Sequence, residues 1–503
     1  MPSAEQRFSQ LANVDAIRRD LRQKSVRGAM LSAATGMVDF TVRIGSTAVL
    51  ARLLAPQHFG LVMMVSAVTA IADQVRELGL STATIQKKEI THREVTNLFW
   101  INLGAGTLLA LLVCALSPAI AAFYSEPRLV IITCILSANF ITGGLAVQHQ
   151  ALLARRLEFK KTSLVRLLCS ILSTVLAIIL AWQGFGFWSL VWREIARNIF
   201  LVVGMWIALP WVPGLPYRET SVRGLVAFGG NLTGANIVAS ISSGADRFLL
   251  GRFWGAEPVA LFRQAYQLLL VPMDQLISPL YQVTQPGLGM LQSEDSRYQR
   301  YYCKVVLLIS LVTMPFSLFV AVFATEVTDI LLGAKWAACA PIIAILSFSA
   351  FIKQPVDSSA LILITRHRSR DYFLLSIVQN LTFVALMFAG VRWAAIGVAA
   401  ADVAATYLLI VPKLRFIFKG SPISLRHYFQ TLARPVVASA LMAGGLFALK
   451  PWLGGAAAPT TLALGSVAAL VFFSASWLLL PGGWPAMAEL IHDVRSGLFR
   501  KRA

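Results

Sequence analysis

With 503 residues, 57% of them hydrophobic and 14% charged, and a mean hydropathy of +0.69, the chain excludes an ordinary soluble protein, in which about a quarter of the residues are charged. The formal net charge of +20 invites a nucleic-acid partner, but the apolar residues gather in runs long enough to cross a hydrocarbon core of ~30 Å. The fold class read from this is an all-α polytopic membrane protein, because backbone in lipid must satisfy its own hydrogen bonds.

Residues 1–27 are polar and basic and hold no apolar core of a signal peptide. Phe8, Leu11, Val14, Ile17 and Leu21 recur at helical spacing, so this leader reads as an amphipathic surface helix. The first hairpin comes next: Ala29 to Leu54 crosses, the chain reverses over Ala55–Gly60, and Phe59 to Ile85 crosses back. Further spans are expected at 95–116, 128–153, 162–182, 186–209, 224–253, 258–290, 303–324, 337–364, 372–391, 393–412, 433–450 and 460–480. With the opening pair this makes about fourteen. In the eighth, Pro272, Pro279 and Pro286 recur every seven residues on one face, and either a mobile break or a static kink would result.

Charge orients the spans. Eight bases and eight acids fall inside them and cancel, so the whole excess lies in loops and tails. Thirty of the 36 extramembrane Lys and Arg fall on one set of connections, which includes both ends of the chain. The positive-inside rule then puts both termini in the cytoplasm and makes the number of spans even. Nucleic acid is not implied.

The chain also repeats. Ser25-Val26-Arg27-Gly28 returns as Ser221-Val222-Arg223-Gly224, and Leu50-Ala51-Arg52-Leu53 is echoed by Leu250-Gly251-Arg252-Phe253. The expected organisation is a leader at 1–27, an N-lobe of six helices at 28–209 and a linker at 210–223. A C-lobe of six helices at 224–417, two extra helices at 418–480 and a basic tail at 481–503 complete it. An even number of spans per lobe makes the repeat parallel.

Catalytic and metal signatures are missing. There is no His-Glu-x-x-His, no Gly-x-Ser-x-Gly and no Walker loop. Gly184-Phe185-Gly186 and Gly287-Leu288-Gly289 read as turn or packing glycines, and the sequons at Asn231 and Asn380 lie in spans. The five cysteines are scattered singly and read as packing residues, so no disulfide framework, metal or cofactor is expected. Every expected outer loop is short, which leaves no room for an external catalytic domain, and an enzyme is not expected.

The informative set is therefore the charge inside the spans, where each ionisable group needs a partner or a task. Asp39/Arg43, Asp73/Arg76 and Glu194/Arg197 are spaced for pairing along one helix face. As structural ion pairs they would fasten helices. As a functional set, Arg43, Arg76, Arg193 and Arg197, with Arg247, Arg263 and Lys353 from the second lobe, would grip an anionic substrate. Asp39, Asp73, Glu77 and Asp274 would balance charge or couple an ion. Arg193 has only adjacent Glu194, expected on another face, which marks it for substrate. Trp188, Trp192, Phe253, Trp254, Tyr266 and Tyr281 would stack on sugar rings or anchor the membrane interface.

At three places the chain resembles a known family. Leu50 to Leu61 (Leu-Ala-Arg-Leu-Leu-Ala-Pro-Gln-His-Phe-Gly-Leu), Ala151 to Lys161, and Gly184 to Leu190 resemble bacterial polysaccharide transporters of the Wzx type. These belong to the multidrug/oligosaccharidyl-lipid/polysaccharide exporter superfamily, and the resemblance covers roughly 25–417. It implies two six-helix lobes around a central cavity lined mainly by spans one, two, seven and eight. It also implies flipping of undecaprenyl-pyrophosphate-linked oligosaccharide across the bacterial inner membrane by alternating access, for exopolysaccharide, capsule or O-antigen assembly. Other polysaccharide-assembly proteins would be partners. Two extra C-terminal spans occur in related lipid flippases, where they help accommodate the lipid tail. A drug or cation antiporter of the same superfamily is the rival reading, and would need acids to dominate the cavity. A membrane glycosyltransferase or polymerase would need catalytic acids on a substantial outer loop.

Overall fold

The computed structural model describes residues 21–77, 81, 84, 85, 87, 90–217, 240, 242–453, 457–481 and 483–485, without the side chains of 21–34, Val75 and Glu77. The leader before residue 21, the stretch 218–239 with the second repeat opening and the Asn231 sequon, and the tail beyond 485 lie outside the described residues. Two compact units emerge, Met1–Ala260 and Leu261–Ala503.

Among the described residues there are helices and no strands. The first unit contains α1 (Leu21–Leu53), α2 (Pro56–Glu77), α3 (His92–Tyr124), α4 (Leu129–Arg155), α5 (Phe159–Trp182), α6 (Trp188–Ala208) and α7 (242–254). From Ala256 the chain runs through α8 (Ala256–Met290), and the second unit continues with α9 (Asp295–Val322), α10 (Cys339–Asp357) and α11 (Ser369–Gly390). It ends with α12 (Ala394–Phe418), α13 (Leu425–Leu453) and α14 (Ala458–Leu479). Eight helical segments among the described residues are long and apolar enough to cross a membrane, so the polytopic reading holds.

Local chemistry fixes the helix ends. Pro56 opens α2, where its missing N–H is no loss. Thr91 caps α3 with a reciprocal box: its hydroxyl accepts from the Glu94 amide at 3.3 Å, and the Glu94 carboxylate accepts from the Thr91 amide at 3.1 Å. Gly184 and Gly186 take φ of 84° and 56° in the turn between α5 and α6, which glycine alone adopts without strain. In the α3–α4 turn, Arg128 grips Glu126 by two hydrogen bonds of 2.8 Å, and that grip holds the carboxyl below its ordinary range. The three prolines at 272, 279 and 286 sit inside one continuous helix, α8.

Two features of the first unit shape its interior. After α6 the chain returns along the start of α3, where the Asn97 side-chain amide bonds both the N–H and the C=O of Tyr217 at 2.7 Å. Trp211 donates to His92 Nδ1 at 3.0 Å over a core of Leu98, Phe99 and Met205. Further along, α3 and α4 cross at backbone contact. A Cβ on Gly106 would lie 2.4 Å from the Phe140 carbonyl oxygen, and one on Gly144 would lie 2.9 Å from that of Asn102. Such small-residue crossings are how membrane helices gain packing without a hydrophobic drive.

Cys114 on α3 and Cys134 on α4, unrelated along the chain, meet across the crossing as free thiols. The close α3–α4 crossing juxtaposes residues that spacing along the chain leaves unrelated.

The crossing gives a stability test. Gly106→Val must push backbone apart and should destabilise the protein by about 1–3 kcal/mol, seen as a lower Tm and reduced folded yield in detergent. Gly104→Ala, with nothing within 4 Å of its added Cβ, should leave both unchanged.

Candidate functional site

A cavity of about 540 Å³ opens inside the first unit, walled by α2, α4, α6 and α7. Helical periodicity builds it. On α2 the lining residues are Phe59, Val62, Met63, Ser66, Thr69, Ala70, Asp73 and Arg76, one stripe that grades from apolar to hydroxyl to charged. Leu190, Arg193, Glu194, Arg197 and Asn198 form the matching stripe on α6. Asn139 and Phe140 come from α4, and Arg247 from α7.

Four arginines and two carboxylates line this space, an excess of two positive charges. Glu194 holds two guanidiniums at once, Arg193 and Arg197, each at 3.2 Å. Asp73 pairs with Arg76 at 3.3 Å, and Arg247 Nη1 donates to Ser66 Oγ at 3.2 Å. The carbonyl oxygen of the Asn139 side chain is buried without a hydrogen-bond partner among the described residues, as is Arg76 Nε. The site is a set of fork-shaped donors held by fewer acceptors, which suits a polyanionic group with several oxygens.

Arg76 has a second position to hold. A further cavity of about 400 Å³ meets the first at Arg76 and Asn198, and is lined also by Arg166, Gln150 and Thr142. Arg166 donates to Gln150 Oε1 at 2.8 Å. Arg76 lies directly over Gly143 of α4, where an added Cβ would fall 1.3 Å from Nη1. The glycine keeps open the space that the guanidinium fills.

Of the expected site residues, Arg76, Arg193, Arg197, Arg247 and Asp73 come together in this cavity. Two expectations change, and a third falls outside what is described. Arg193 does not point away from Glu194; it shares that carboxylate with Arg197, because a long side chain can bend back to an adjacent residue. Asp39 and Arg43, half-buried and exposed on α1, form no ion pair with each other, and neither lines the cavity. Helical i, i+4 spacing permits a pair without compelling one. Glu77 closes α2, and its side chain lies outside the described residues.

Arg263, Lys353 and Asp274 belong to the second unit. Arg263 and Lys353 lie over the Tyr266 ring at 5.3 and 5.5 Å, and Lys353 also over Phe383 at 5.6 Å. Asp274 accepts from Gln354 at 2.6 Å. Lys413, which the charge count places among the loop bases, is buried in α12 and bonds Asp357 at 2.6 Å. None of the six nominated aromatics lines the cavity of the first unit. Sequence reasoning missed Asn139, Asn198 and Ser66. Their signal is weak: single polar residues on the same stripe as the charges.

Residues 49–341 match the family described as "Polysaccharide biosynthesis protein". The chain is 25% identical over 385 residues to the lipopolysaccharide biosynthesis protein WzxC of Escherichia coli (strain K12), covering 75% of this chain and 77% of that one. It is 23% identical over 428 residues to the teichuronic acid biosynthesis protein TuaB of Bacillus subtilis (strain 168), covering 84% and 88%. In structure it is similar to the lipid II flippase MurJ in an inward closed conformation, with a TM-score of 0.71 at 11% identity over 89% of this chain and 99% of that one. An inward-facing multidrug resistance transporter of the MATE family matches with a TM-score of 0.57 at 16% identity, over 78% and 98%. These two likenesses establish the fold.

The Gly143 cradle predicts a phenotype at a residue with no chemistry of its own. Gly143→Ala should displace the Arg76 guanidinium and lower transport by about the same factor as Arg76→Ala, tenfold or more. The protein should stay folded, since only the end of a flexible side chain must move. A transport assay beside a melting curve checks both.

Proposed function

We propose, because the chain belongs to the family of polysaccharide biosynthesis proteins matched over residues 49–341, that it is a flippase for undecaprenyl-pyrophosphate-linked oligosaccharide. It works by alternating access in the bacterial inner membrane and serves exopolysaccharide, capsule or O-antigen assembly. Relatives named for lipopolysaccharide and teichuronic acid biosynthesis support the polysaccharide branch, and a relative in Rhizobium meliloti (strain 1021) is named a succinoglycan biosynthesis transport protein, ExoT. The observation that carries the reading is the cavity of the first unit, with four arginines against two carboxylates.

The physical problem is the transfer of an anionic diphosphate and a polar glycan past ~30 Å of hydrocarbon. Bare phosphate cannot be desolvated at tolerable cost, so its oxygens need replacement donors. Arg193 and Arg197 supply two forks that are already aligned by one carboxylate, Glu194. A diphosphate competes with Glu194 for the same N–H groups and satisfies more of them. Hydroxyls of Ser66 and Thr69 and the amides of Asn139 and Asn198 are suited to sugar hydroxyls. The lipid tail stays in the bilayer. An excess of base over acid disfavours the rival antiporter, whose cationic cargo needs the opposite balance.

Both termini are cytoplasmic, on the strength of the thirty-to-six division of extramembrane bases. The lobes comprise 28–209 and 224–417, followed by two helices within 418–480, and other polysaccharide-assembly proteins act on the same lipid-linked substrate.

Because Arg193 and Arg197 share one anchor, either alone retains part of the grip. Arg193→Ala or Arg197→Ala should lower polymer export several-fold, and the double variant by tenfold or more. Lipid-linked intermediates should then accumulate on the cytoplasmic face. Lysine at both positions keeps charge but loses the fork, so a double Lys variant that exports normally would reduce the role to simple attraction. Normal export by a well-expressed double Ala variant would remove the pair from the mechanism.

Topology is checked separately. Reporters fused at Gly420, between α12 and α13, and after Ala503 should both report cytoplasm. A periplasmic signal at either would overturn the orientation.

A further inference from the structure

The geometry points to a second ligand site, for an anionic phospholipid headgroup, in a basic cleft of about 1050 Å³ within the second unit. Three helix ends build it. Arg297, Arg300, Lys304 and Leu307 descend one face of α9 at spacings of three, four and three residues. Arg434 adds a fourth cation from the third turn of α13, and Trp477 comes from the end of α14. Among the described residues that line the cleft there is no carboxylate. Glu294, just before α9, reaches Arg297 at 2.8 Å, so Arg300 and Arg434 are the cations on which a headgroup would rest.

The order of residues identifies the occupant. From Arg297 to Lys304 the α9 stripe descends about 10 Å, comparable to the depth of the polar layer of a bilayer. The half-buried Leu307, one turn further along α9, shares the same cleft, and Trp477, itself fully buried, closes its base. Cations above and apolar surface below fit a molecule with a phosphate at one end and acyl chains at the other. Basic pockets between helices at the cytoplasmic side of a membrane recognise anionic lipid headgroups on this principle. A free phosphate would use the cations and leave the apolar floor bare. The inference does not depend on the identity of the transported substrate, since none of these residues belongs to the first unit.

Full-length protein purified in detergent is titrated with phosphatidylglycerol and with phosphatidylcholine of the same acyl chains, and bound lipid is counted by native mass spectrometry. Phosphatidylglycerol should bind at least tenfold more tightly. Arg300→Gln combined with Arg434→Gln should weaken it roughly 25-fold, about fivefold for each cation removed, while Lys at both positions should retain most of the affinity. If the double Gln variant does not fold, each single Gln variant should still show its fivefold loss. Equal binding of the two lipids, or unchanged phosphatidylglycerol binding in the Gln variants, overturns the site. Displacement of phosphatidylglycerol by an equal concentration of inorganic phosphate would also overturn the lipid assignment, making the cleft a free-phosphate site.

Discussion

One carboxylate, Glu194, holds two guanidiniums 3.2 Å away on either side, and much of the first unit can be understood from that arrangement. Two neighbouring arginines on a membrane helix would repel each other and draw water into the hydrocarbon. Removing the acid would leave two unmatched cations, and breaking a buried ion pair costs about 3–5 kcal/mol. The group here is about a quarter exposed, so screening reduces that figure. The arrangement is stable when empty because the acid is present, and receptive because there is only one acid for two bases.

The same constraint explains why the charged stripes lie where they do. α6 carries Arg193, Glu194 and Arg197 within 21 residues, and all three line the cavity. Away from the charged stripe the helix holds Ile199 and Val203, which are exposed, as lipid-facing residues should be. On α2, Asp73 and Arg76 likewise keep to the cavity stripe. In the second unit the solution differs. Lys353 lies over two aromatic rings and Lys413 is tied to Asp357, so these cations are held by faces and single acids instead of being grouped around a cavity. A cation held by an aromatic face is stabilised without an anion, which leaves less for a phosphate to gain there.

Much of this was legible in the sequence. Long apolar runs announced the helices because membrane spans must satisfy backbone hydrogen bonds internally, and Pro56 marked the reversal between the first two by chemistry that is purely local, whereas the Thr91 cap went unread. Asp73/Arg76 and Glu194/Arg197 were legible as i, i+3 pairs. The exceptions have a common cause. Whether Arg193 turns toward Glu194, whether Asp39 and Arg43 meet, and whether Cys114 faces Cys134 depend on rotamers and helix crossings that spacing does not specify. Lys413 was misread as a loop base because hydropathy blurs the end of a span, while Asp357, its partner, lies 56 residues away.

The two adjacent glycines of α4 show how little sequence separates scaffold from site. Successive helical residues point about 100° apart, so Gly143 and Gly144 serve different neighbours. Gly144 faces α3, and Gly106 of α3 faces back toward Phe140, a reciprocal contact that sets how closely the two helices approach. Gly143 faces Arg76. Phe140, fixed by the first contact, also lines the cavity that Arg76 enters. A side chain at Gly144 would move α4 as a body and shift Phe140 and Asn139 with it, while one at Gly143 would move a single guanidinium. The position of the arginine thus rests on an absence of atoms, and that absence is supplied by the same two-residue step that brings the helices together.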